Sequence, residues 1–302
     1  MKINNLSRLE KLYWISFAVM LPLSLALRLH QVNSLLEPGT GFYAQRDWTI
    51  PALNVLMGLF VLLLVAVSYF SRLKPTPNGL SYIRKPLKSR LVAGASFVFA
   101  LFLCIDCLIC LSFVMNNPAE ELLSFTYLMK SGLLPRLLES VMAVPAAAFV
   151  VLFGLAHIKG TDCGRQRFLA LFPALWLIMR TVFRFTRTYS FVRVSELYFE
   201  LLALVFLLVF FMAFAQCSSG VNDESQNYWL LPASGFPAAV ALVLCFVPRI
   251  AAIFMGNAAR LTELAPPEPT DLAVALFVVA LLKTRLGKGL SQKELAEAKA
   301  AK

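Results

Sequence analysis

Eight long apolar runs, spread over nearly the whole of a 302-residue chain, constrain the fold more than any other feature. Crossing about 30 Å of hydrocarbon takes about 20 helical residues, and the runs approach or exceed that length. Lipid offers no water to satisfy backbone N–H and C=O groups, so a spanning segment must be a helix or part of a closed barrel. Continuous runs without a two-residue alternation specify helices. Little chain is left for a soluble domain. The expected fold is an all-α polytopic membrane protein, one integral membrane domain over 1–302, with spans at 12–30, 50–70, 91–115, 136–158, 168–187, 196–216, 230–256 and 270–286. A short basic tail, 287–302, follows the last span, and Lys283 would have to snorkel to the interface.

Composition agrees: 59% of the residues are hydrophobic and only 15% are charged, against about 25% charged in soluble domains. The net charge of +11 would suggest nucleic acid in a soluble protein. Here the basic residues flank apolar runs, where they set topology and meet anionic lipid heads. No nucleic-acid partner is expected; the lipid bilayer is. The loops on the side of the N-terminus hold 18 of the 28 Lys and Arg residues, which places both termini in the cytoplasm of a cell-membrane protein. The strongest anchor is 72–90, with six basic residues and no acid, whereas loop 217–229 runs against the rule with Asp223, Glu224 and no base. Lys2, Arg8 and Lys11 precede the first run as in a signal peptide, but Leu27, Arg28, Leu29 and His30 offer no small-residue cleavage site, so a retained anchor is expected.

Two connecting segments carry local signals. Asn117, Pro118, Glu120 and Glu121 make a helix start, with a capping side chain, proline in the first turn and acids at the positive dipole end. The apolar stripe Leu122, Phe125, Leu128 and Met129 then stops at Gly132; it reads as a short surface helix, or alternatively as a re-entrant segment. In the tail, Ser291 and Glu294 have capping-box spacing ahead of a basic helix over 292–301. The two halves of the chain share no evident repeat.

Ionisable groups inside spans are costly, so each asks for a reason. At 1.5 Å per residue, Asp106, Glu139, Glu196, Glu200, Arg28, Arg180, Arg184, Arg187 and Arg249 all fall in one leaflet. Arg180, Arg184 and Arg187 share one helix face, as do Glu196 and Glu200. A hairpin of spans five and six could oppose the two faces. Such a set has two readings: a polar cavity whose arginine forks hold an anionic or zwitterionic solute, or a structural ion-pair clamp. Asp106 would then serve as a cation or proton site, or simply pair with Arg180 or Arg184. Arg28, Glu139 and Arg249 are further contributors.

Other motifs carry less. Cys104, Cys107 and Cys110 have a metal-like spacing but fan over about 120° of one helix with no histidine beside them, so packing is expected and no metal or cofactor. Cys163 lies in a loop, and Cys217 and Cys245 in or at the ends of spans, which makes no disulfide framework. Ser234-Gly235 lacks the glycine-led motif and downstream histidine of an intramembrane serine protease, and Glu120-Glu121 lacks the arginine that a prenyl-type membrane protease would place at Phe125. No phosphate loop or zinc motif is present, so the chain is not expected to be an enzyme. Small-residue stretches at 146–148 and 233–241 favour close helix packing, and Pro145 and Pro237 mark places for kinks. The leading expectation is binding or transport of a small anionic or zwitterionic solute. The competing one is a non-catalytic sensor or accessory subunit with a purely structural charged hairpin and a membrane or cytoplasmic partner.

Overall fold

The structure, a computed structural model, describes residues 3–37, 43–72, 88–116, 128, 132–161, 168–186, 194–219, 229–258, 261 and 268–286. These form α1 (Ile3–His30), α2 (Thr49–Arg72), α3 (Arg90–Met115), α4 (Leu133–Lys159), α5 (Phe172–Thr186), α6 (Val194–Ser219), α7 (Leu230–Phe254) and α8 (Pro269–Leu286). No strand occurs among the described residues; a single bridge pairs Leu36 with Tyr43. The tail 287–302, residues 220–228 of loop 217–229 and Cys163 lie outside the described residues, as does the expected surface helix after Asn117 apart from Leu128 and Gly132.

Among the described residues, six helices are long and apolar enough to cross a bilayer: α1, α2, α3, α4, α6 and α7. The protein is therefore a helical, multi-pass membrane protein. The expected spans at 168–187 and 270–286 correspond to α5 and α8, which stand apart in length and polarity. α5 has 15 residues and follows a 3-10 turn, Leu169–Leu171. α8 has 18 residues and carries Asp271 and Lys283 near its ends.

Packing arranges six of the helices as a closed ring. α3 packs on α4, α4 on α5, α5 on α6, α6 on α7, α7 on α8, and α8 returns to α3. The α1–α2 pair lies outside this ring against α7. Burial follows: 78% of the α7 span is buried, against 22% for each of the first two. α7 carries the longer of the two small-residue stretches, 233–241. At Gly235 an added Cβ would lie 3.0 Å from Leu282 of α8 and from Phe210 of α6, so the missing side chain lets three helices meet. Pro145 and Pro237 both sit within continuous helices, α4 and α7.

Aromatic side chains fill the middle of the ring. Phe99 of α3 lies 6.2 Å from Trp176 of α5, 6.1 Å from Phe211 of α6 and 5.5 Å from Phe277 of α8, between ring centroids. Phe149 and Phe153 of α4 reach Phe214 of α6, at 6.0 and 5.2 Å. These contacts cross the ring from side to side, and all of these side chains are buried. A separate aromatic group, Tyr13, Trp14 and Phe17 around Phe236, attaches α1 to α7.

Helix ends use ordinary capping chemistry. The Ser89 hydroxyl accepts from the Val92 N–H at 3.4 Å and lies 3.3 Å from the Thr284 hydroxyl, tying the start of α3 to the end of α8. Gly132, where the apolar stripe was expected to stop, precedes α4 at φ 74°, a left-handed conformation that favours glycine. Pro269 begins α8 and Asp271 lies in its first turn, the usual proline and acid positions.

Candidate functional site

At one end of the ring, beside the aromatic core, buried charges from all six ring helices meet. Arg180 of α5, 2% exposed, pairs with two carboxylates: Glu268, immediately ahead of α8, and Asp271 of α8 at 2.7 Å. Arg184, one turn further along α5, reaches Glu268 at 2.5 Å and Glu200 of α6 at 2.7 Å. Glu200 is also 4.0 Å from Arg249 of α7. On the α3–α4 side, Arg136 donates to Glu139 at 2.9 Å and lies 3.6 Å from Asp106. Aromatic faces back three of these guanidiniums: Arg180 lies over Trp176, and Arg136 and Arg184 over Phe183.

The geometry follows from helical spacing. Arg180 and Arg184 are four residues apart and face the same way, so one acid between them, Glu268, can bridge both. Arg136 and Glu139 are an i, i+3 pair on α4. The α5–α6 pairing of Arg184 with Glu200 is the guanidinium–carboxylate contact that the two helical faces allow. Asp106 differs from expectation. Its guanidinium partner is Arg136, from the neighbouring α4, and not Arg180 or Arg184, whose forks are occupied by Glu268, Asp271 and Glu200. Arg28, on α1 outside the ring, donates to the Tyr43 hydroxyl at 3.0 Å and to Gln31 at 3.3 Å and lies over Phe199. Arg187 lies outside the described residues, as does the side chain of Glu196.

Three members of the cluster were not singled out in the sequence: Arg136, Glu268 and Asp271. The i, i+3 spacing of Arg136 and Glu139 was an available signal for the first. Glu268 sits in a proline-rich connection with no periodicity, and Asp271 has the appearance of an ordinary first-turn acid. Their partner Arg180 lies about ninety positions away, a distance no local pattern bridges.

Two recesses flank the bundle, and neither is lined by Arg180 or Arg184. One, lined by Arg28, Val32, Phe199, Leu244, Cys245, Pro248 and Arg249, has no room for a water molecule. Another, about 630 Å³, is an apolar groove between α3 and α4, lined by residues such as Leu103, Cys104, Cys107, Ala143 and Ala147. The three cysteines of α3 point to different surroundings. Cys104 is exposed, the Cys107 thiol lies 3.5 Å from the Ser140 carbonyl oxygen, and the Cys110 thiol 3.9 Å from Asp106 Oδ1. Among the described residues no three His, Cys, Asp or Glu side chains gather as metal ligands would. The Ser234 hydroxyl donates to its own helix at the Leu230 carbonyl, 2.6 Å away.

No protein-family model, no curated protein and no solved structure matches this chain.

Proposed function

We propose that this protein is a non-catalytic membrane subunit, acting as a sensor or assembly factor, in which the buried charges lock a helical ring together. One observation carries the reading: the guanidiniums of α5 close on carboxylates from α6 and α8 directly beside a ring centre packed with aromatic side chains. A solute site needs arginine donors turned toward water-accessible space. Here Arg180 and Arg184 are each engaged by two acids.

The experiment compares uptake with assembly. Proteoliposomes containing the full chain should take up labelled phosphate and small amino acids no faster than protein-free vesicles. Mild-detergent purification from native membranes should retain another membrane protein at fixed stoichiometry. Uptake above the blank that Arg184→Gln abolishes would overturn the reading in favour of transport.

The topology is part of the proposal: eight crossings in the cell membrane with both ends cytoplasmic. It rests on the Lys and Arg bias and on α5 and α8 completing the same ring as four of the long apolar helices. α5 would cross together with the 3-10 turn that leads into it. A single cysteine at position 190, Ser190→Cys in a background without accessible thiols, should react with an impermeant maleimide added outside the cell. With only six crossings that position faces the cytoplasm, and labelling would require permeabilised cells.

A further inference from the structure

We propose that Asp106 and Glu139 form a proton-binding carboxyl pair: the single guanidinium of Arg136 serves both, and one of the two acids carries a proton in the folded protein. This goes beyond the function proposed above and does not depend on it.

The argument starts from charge. Among the described side chains, Arg136, Arg180, Arg184 and Arg249 are paired with five carboxylates: Asp106, Glu139, Glu200, Glu268 and Asp271. There is one acid more than there are bases. Arg28 adds its charge on the α7 side, beside Phe199 and Arg249, and the ion pairs of Asp106 and Glu139 are made with Arg136.

Geometry places the surplus at α3 and α4. Glu139 is 1% exposed and Asp106 6%. Each has one oxygen, Glu139 Oε1 and Asp106 Oδ2, that is buried and without a hydrogen-bond partner. Their other oxygens converge on the two ends of the Arg136 fork, at 2.9 and 3.6 Å. Two ionised carboxylates on one guanidinium would leave a net negative charge among apolar helices, and two acids so placed do not both ionise readily. A proton taken from hydronium in the solvent, whose O–H bond breaks to leave water, converts one carboxylate to a carboxylic acid, cancels the surplus and gives a buried oxygen an O–H to donate.

The neighbouring groups leave this balance in place. Around the pair stand Cys110 on α3, Arg136 on α4, Arg180 and Arg184 on α5, and Glu268 just ahead of α8, with Asp271 held on Arg180. The two α5 arginines, with Arg249, make their ion pairs with the three acids Glu200, Glu268 and Asp271, three bases to three acids, and Arg180 acts on Asp106 only at longer range. No metal-type cluster competes for the site among the described residues.

Infrared spectroscopy of the full chain in lipid nanodiscs tests this directly, because the C=O stretch of a carboxylic acid is separate from that of a carboxylate. At about pH 6, where carboxyls of ordinary pKa near 4 are ionised, the wild type should show a protonated-carboxyl band. That band should shift with ¹³C-labelled aspartate or glutamate and fade as pH is raised. Glu139→Gln and Asp106→Asn should each abolish it, since the remaining acid then pairs one-to-one with Arg136. Glu37→Gln, at an exposed position, should leave it intact. Absence of the band in the wild type, or its survival in either pair variant, would overturn the proposal. Should one variant fail to fold, the other still decides.

Discussion

Replacing Arg180 by Gln is expected to destabilise the bundle by about 3–5 kcal/mol, the cost typical of breaking a buried ion pair from one side. Arg180 is almost wholly enclosed and is held by Glu268 and Asp271 together. Glutamine leaves those two acids buried at the start of α8 with a cation on one of them only, Arg184 on Glu268. The penalty comes from the carboxylates left behind, so removing one of them should return part of it. Adding Asp271→Asn to Arg180→Gln should recover about half of the loss, a coupling of the size seen between contacting residues in one network. Arg180→Lys should restore little, because an ammonium lacks the planar fork that reaches two acids. Thermal unfolding in one detergent, followed by tryptophan fluorescence, measures all three. An Arg180→Gln protein that melts with the wild type, or a double variant that is simply additive, would show that these contacts do not lock the ring.

Which parts of this structure could be read in advance follows from what lipid does to a sequence. The hydrocarbon thickness imposes a length on every crossing, so the long apolar helices stand out from composition alone. α5 is harder: a 15-residue helix carrying two arginines satisfies neither the length nor the apolarity rule. Inward and outward faces are harder still. On α6, Phe210, Phe211 and Phe214 point into the ring while Val205, Val209 and Met212 are exposed to the bilayer. Lipid tails are as apolar as the core, so the polar–apolar contrast that marks a soluble helix is missing. The charged residues are the exception, since burial in this medium demands a partner. That logic gathers Arg180, Arg184, Glu200, Asp106, Glu139 and Arg249 as one set by depth. It cannot choose partners: Asp106 goes to Arg136, and the acid bridging both α5 arginines comes from a proline-rich connection nearly ninety positions away.

Truncating Phe277 to Ala tests the centre of the ring, and about 3 kcal/mol of destabilisation is expected, the low end for Phe→Ala in a packed interior. The lower figure has a physical reason. Between helices in lipid there is little transfer free energy to lose, so the cost is the cavity and the lost dispersion contacts. Those contacts are many: Phe277 of α8 touches Phe99, Phe153, Phe211 and Phe214, joining α3, α4 and α6 across the ring. Leu276, the next residue along, is 50% exposed toward the bilayer, and Leu276→Ala should cost within about 0.5 kcal/mol. Measuring both variants by thermal unfolding in the same detergent separates a filled centre from a hollow one. If Phe277→Ala were as mild as Leu276→Ala, the aromatic side chains would not be packed against one another. The charged end of the ring would then stand over open space, and the arginines would be better understood as lining a path than as closing a lock.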